Sequence, residues 1–131
     1  MNNLIYPSFI KENDCIGVPA PSAGADCAER INKSLNAKKT LEKLGYKLIL
    51  SENLLKSEKG RSATAKERAK EVNDMFSNKD INMIFCAAGG EFLVEILPYI
   101  DFELIKENPK FIAGFSDPTG LLYLSLIHIS E

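Results

Sequence analysis

The chain has 131 residues, 45% hydrophobic and 26% charged, with a net charge of −2 and a pI near 5.5. That length fits one domain with a real core, and the charge balance excludes the basic stripe of a nucleic-acid binder. No basic amphipathic run marks a membrane-surface helix, and no apolar stretch reaches the ~20 residues of a span; neither nucleic acid nor membrane is expected as a partner.

The opening residues lack the charged and apolar regions of a signal peptide. Cys15, Cys27 and Cys86 are odd in number and form no CxxC. This argues against a disulfide framework or a zinc site and for reduced thiols in the cytoplasm. Residues 15–20 read as a short buried strand, and Pro19, Pro21 and Gly24 mark the loop after it. A helix is expected over 27–44, with Ala28, Ile31, Leu35, Leu41 and Leu44 near helical spacing and Gly45 as its stop. Residues 46–50 form the second strand, and the polar stretch 51–63 reads as a surface loop. Thr64-Ala65-Lys66-Glu67 has capping-box form and opens a helix with Ala65, Ala69, Val72 and Phe76 on one face.

The third strand is expected at 81–86, ending on Cys86 as a buried structural thiol, followed by the small turn Ala87-Ala88-Gly89-Gly90. A helix over 92–97 should stop at Pro98. A second, over 101–107 with Asp101 as its N-cap, should stop before Pro109. The fourth strand is placed at 111–115, and Ser116-Asp117-Pro118 opens the last helix. Strands alternating with helices imply an α/β fold, a mostly parallel sheet with helices on both faces, of Rossmann or flavodoxin-like type.

In such a sheet ligands bind at the carboxyl ends of the strands, where the loops 19–24, 87–90 and 114–118 lie. A serine at a sharp strand-to-helix turn exposes its hydroxyl there, and the next N–H, that of Asp117, can bind an oxyanion. The same residues also read as a helix cap, because Ser and Asp favour N-caps and Pro the first turn, and Pro118 replaces the final glycine of G-x-S-x-G. Gly89-Gly90 serves either a backbone N–H aimed at an oxyanion or a turn needing positive φ. Neither a dinucleotide fingerprint nor a Walker loop occurs, so no cofactor and no metal is expected. Glu91 and Glu95 read as a solvated helix face. His128 lies about three turns, ~18 Å, beyond Ser116 on a continuous helix and is assigned no role.

Cys86-Ala87-Ala88-Gly89-Gly90, Leu97-Pro98-Tyr99-Ile100-Asp101, Asn108-Pro109-Lys110 and Gly114-Phe115-Ser116-Asp117-Pro118-Thr119 together resemble the LD-carboxypeptidase family of serine peptidases. Arg61-Ser62-Ala63-Thr64, Glu67-Arg68-Ala69 and the opening strand and loop, 16–22, are similar to it as well. That family includes muramoyl-tetrapeptide carboxypeptidases and microcin C self-immunity peptidases. The resemblance implies a Ser-His-Glu triad with Ser116 as nucleophile and the N–H groups of Gly90 and Asp117 as oxyanion hole. The Glu and His come from a C-terminal domain that no residue here matches.

Ala88 and Glu91 flank the Gly-Gly pair, where peptidoglycan-cleaving members tend to have an arginine and an aromatic residue. Glu91-Phe92-Leu93 instead resembles the microcin-immunity branch. The implied substrate is a small peptide such as a muropeptide, or a peptidyl-nucleotide, and the implied parent is a homodimer. Residues 1–123 are then the nucleophile domain, inactive alone. Residues 124–131 depart from the family and resemble a translated sequencing-adapter read, a foreign tail. The competing expectation is a non-catalytic α/β module that binds a small anion at a helix N-terminus, or an inactive fragment.

Overall fold

Four short strands, β1 (Cys15–Val18), β2 (Lys47–Leu50), β3 (Met83–Phe85) and β4 (Phe111–Ala113), pair in parallel in the order β2-β1-β3-β4. The computed structural model describes residues 5–129, without the side chains of His128 and Ile129. The expectation of no role for His128 therefore lies outside the described residues, as do 1–4 of the leader reading and the last two residues of the tail reading. Register sets Gly17 beside Ile84 and Ile84 beside Ile112. The loops after β1, β3 and β4 consequently emerge side by side at one end of the sheet.

The helices are α1 (Ala28–Lys43), α2 (Ala65–Ser77), α3 (Phe102–Glu107) and α4 (Thr119–Ile129). Thr64 opens α2 with the expected capping box, its Oγ1 accepting from the Glu67 N–H while the Glu67 carboxylate accepts from the Thr64 N–H. The box satisfies N–H groups that a helix start leaves orphaned. The α2 face Ala69, Val72, Met75 and Phe76 packs on Ile84, Ile96, Ile105 and Leu121 as the main core. Each large side chain buried there contributes roughly 1.5–3 kcal/mol. Asp101 caps α3, accepting from the Leu104 N–H at 2.9 Å. Among the described residues no helix is long and apolar enough to cross a membrane.

Three local expectations differ from the structure. The helix expected to stop at Pro98 is a 3-10 helix, Leu93–Tyr99, with Pro98 inside it. Proline removes only its own N–H, and the i→i+3 bonds Glu95 to Phe92 and Ile100 to Leu97 close on either side of it. The stretch 51–63 is only partly a surface loop, because Ser51, Asn53, Leu54, Ser62 and Ala63 are buried. Its backbone finds partners beneath the β1 loop: Ala25 N–H donates to Leu54 O at 2.6 Å and Ser62 N–H to Ser22 O at 3.0 Å. Finally, α1 buries none of its residues. It stands over an apolar groove of about 280 Å³ that Ile16, Val18, Leu41, Leu48 and Met83 help to line.

Candidate active site

β4 ends at Ala113, and the chain turns sharply into α4 through Gly114-Phe115-Ser116-Asp117-Pro118. Gly114 eases the packing here: a Cβ there would stand 3.1 Å from the β-carbons of both Cys86 and Pro118, tighter than ordinary contact. Ser116 has φ +66°, left-handed backbone that costs a non-glycine residue about 1–2 kcal/mol. The other left-handed non-glycine residues among those described, Asn13 and Lys59, lie in turns away from any strand-to-helix junction. At Ser116 the strain re-aims the chain so that its carbonyl accepts from the Thr119 N–H at 3.0 Å while its side chain is exposed beyond the strand ends. A strained strand-to-helix turn of this kind is the backbone shape that a nucleophile elbow requires.

The turn after β3 lies against this strand-to-helix turn. A Cβ on Gly89 would come within 3.3 Å of Ser116 Oγ, so glycine lets the backbone approach the hydroxyl. A Cβ on Gly90 would meet Ser22 Oγ at 2.3 Å and the Ala23 nitrogen at 3.1 Å. The two glycines thus divide their contacts, Gly89 toward Ser116 and Gly90 toward the β1 loop. Asp117, half-buried, accepts at Oδ2 from the Leu93 N–H at 2.8 Å and from the hydroxyl of the fully buried Ser22. One carboxylate oxygen therefore joins the loop after β1 and the start of the 3-10 helix to the β4–α4 turn.

A second knot lies behind the first. Arg68 is fully buried on α2. Its Nε donates to Ala63 O at 2.9 Å, and its Nη1 to Pro21 O at 2.8 Å and Phe92 O at 3.0 Å. Its Nη2 donates to Glu95 Oε2 at 2.7 Å, and Glu95 also receives Arg61, whose Nε lies 2.8 Å from Oε2. Glu95 is thus no freely solvated helix residue. The Arg61 hydrogen bond, with Arg68 beside it, holds its carboxyl down at about 2 despite partial desolvation. Burial pulls the Arg68 guanidinium below its ordinary range, with Glu95 opposing the shift. Arg61 also lies 3.6 Å over the Phe92 ring. Cys86 is buried as expected, and burial pushes its thiol up to about 12, far from the thiolate a nucleophile needs.

The structure brings Ser116, Gly90 and Asp117, the residues named from the sequence, to one end of the sheet; sequence reading assigned no individual role to Ser22, to Arg68 or to the Asp117 side chain. Arg68 left a signal: it falls on the apolar face of α2 between Ala65 and Val72, where an unpaired charge would be costly. Ser22 left none. Among the described residues, no group of three or more His, Cys, Asp or Glu is placed to hold a metal.

Known proteins share this architecture. Microcin C7 self-immunity protein MccF of Escherichia coli is 38% identical over 109 residues, 83% of this chain and 31% of that protein. The solved wild-type apo MccF superposes with a TM-score of 0.89 at 33% identity, covering 95% of this chain and 37% of that one. An MccF-like protein from Bacillus anthracis gives a TM-score of 0.79 at 28% identity over 89% of this chain and 35% of its own. The chain spans about a third of the length of these relatives. A family model described as the LD-carboxypeptidase N-terminal domain matches residues 16–129, and the chain belongs to that family.

Proposed function

We propose that this chain supplies the nucleophile half of a cytoplasmic serine peptidase, with Ser116 attacking an amide carbonyl and the N–H groups of Gly90 and Asp117 holding the oxyanion. The observation that carries the reading is the left-handed Ser116 at the β4–α4 turn with Gly89 packed against its hydroxyl. In this reading the Ser116 oxygen bonds to the carbonyl carbon while its proton passes to a histidine oriented by a glutamate. The proton then goes to the leaving amine as the amide bond breaks, and water releases the acyl group by the reverse sequence. Histidine and glutamate belong to a second domain, in keeping with the share of the relatives that this chain covers. Residues 1–123 are then the nucleophile domain, 124–131 a tail foreign to it, and the chain alone turns over negligibly.

Peptidyl- or aminoacyl-nucleotides are the favoured substrate class, ahead of muropeptides. MccF has been solved with aspartyl sulfamoyl adenosine and with adenosine monophosphate, and one of its active-site mutants replaces a serine, an asparagine and a lysine by alanine. The test is a chimaera of residues 1–123 with the remaining C-terminal part of E. coli MccF, assayed for cleavage of aspartyl sulfamoyl adenosine. The chimaera should cleave it, and Ser116→Ala should lose at least ~10³-fold in kcat. Cleavage that survives Ser116→Ala refutes the nucleophile, and a folded chimaera that binds the ligand without cleaving it favours an anion-binding module. A homodimer in light scattering would match the expected parent assembly.

A further inference from the structure

An oxyanion hole built from two different loops needs something to fix their spacing, because donors displaced by even ~0.5 Å lose much of their effect. Gly90 follows β3 and Asp117 follows β4. Ser22, from the loop after β1, touches both: its Oγ occupies the space where a Gly90 Cβ would be, and its hydroxyl donates to Asp117 Oδ2. We propose that Ser22 is the positioning residue of the oxyanion hole, clamping Gly90 against Asp117 through its buried hydroxyl. The inference rests on the reading of Ser116 as nucleophile.

Ser22 is itself rigidly held. It is fully buried. Its carbonyl accepts from Ser62 N–H at 3.0 Å, the next N–H, of Ala23, donates to Gly89 O at 3.2 Å, and Arg68 grips the preceding carbonyl, of Pro21, at 2.8 Å. The same arginine holds Phe92 O at 3.0 Å, one residue before the Leu93 N–H that shares Asp117 Oδ2. The clamp therefore bears on a hydrogen-bonded frame, with the hydroxyl as the group it presents to Asp117. Alanine at 22 would keep the backbone, remove the contact behind Gly90 and leave Oδ2 with a single donor.

The test measures kcat and KM in the same chimaera. Ser22→Ala should lower kcat about 10- to 100-fold, less than the loss of a whole donor, with KM changed by less than about threefold. Asp117→Ala, which removes the acceptor of the Ser22 hydroxyl, should fall as far as Ser22→Ala. Circular dichroism and the melting temperature of each variant establish that it folds. If Ser22→Ala keeps kcat within twofold while Ser116→Ala is dead, the clamp is overturned and the nucleophile reading stands. If Ser22→Ala acts chiefly on KM, or Asp117→Ala keeps kcat within twofold, the clamp is likewise overturned. Activity in Ser116→Ala overturns the underlying reading instead.

Discussion

Ser116 holds a backbone conformation that its own side chain disfavours, and just after it the Gly120 N–H donates to Asp117 O at 3.3 Å as α4 begins. Such strain persists only where the surroundings over-determine it, and it gathers at functional positions. Glycine would remove the Cβ penalty at a smaller cost in unfolded-state entropy. Ser116→Gly should therefore stabilise the chain by about 0.5–1 kcal/mol, raising the thermal midpoint by roughly 3 °C. Ser116→Ala, which keeps a Cβ, should give no such gain. Equal melting temperatures for the two variants would show that the turn carries no strain. From the local residues alone Ser116 reads more readily as a helix cap than as a nucleophile until the family resemblance is added. A φ angle is set by how the strand and helix are docked, and no neighbouring residue announces it.

At the level of elements, α1 and α2 show where periodicity informs and where it misleads. Both carry apolar residues at helical spacing. The face of α2 is buried against the core, yet α1 buries none of its residues. Its capping differs too: Cys27 makes no side-chain cap, whereas Thr64 closes a full box. Exposed surface ion pairs such as Glu29–Lys33 along α1 contribute only a few tenths of a kcal/mol each. The amide protons of α1 should exchange with deuterium by local opening, at least tenfold faster than those in the middle of α2. Matching protection in the two helices, read by hydrogen-exchange mass spectrometry, would contradict this. Periodicity reports that a helix has an apolar side, but not how closely the sheet meets it.

Across the whole molecule, the Arg61–Glu95–Arg68 cluster ties α2, the 3-10 helix and the β1 loop together. The carboxyl of Glu95 lies at about 2 in the folded chain, below the ordinary glutamate value near 4.3. Between those values the unfolded chain binds more protons than the folded one, so stability falls as pH drops from ~4.5 toward ~2. Above ~4.5 this group contributes a constant share. Glu95→Gln should be less stable at neutral pH, because Arg68 loses its counter-charge. Its melting temperature should also fall less steeply than the parent's over that acid range, and parallel melting curves for the two proteins would remove Glu95 from the acid sensitivity.

The order of strands and helices, the capping box at Thr64, the Asp101 cap, the buried Cys86 and the parallel α/β class were all legible in the amino-acid sequence. Each depends on residues within a few positions of one another, or on an apolar run that any parallel sheet requires. The family motifs also picked out Ser116, Gly90 and Asp117 as the residues to examine. Tertiary structure decided the rest: the left-handed turn at Ser116, the split in which Gly89 faces the serine and Gly90 faces Ser22, and the burial of Arg68 with its carbonyl partners. Ser22 and Asp117 are 95 residues apart, and Arg68 and Pro21 are 47 apart. Contacts over such separations arise only when β1, β3 and β4 dock in register and bring their loops to one end of the sheet.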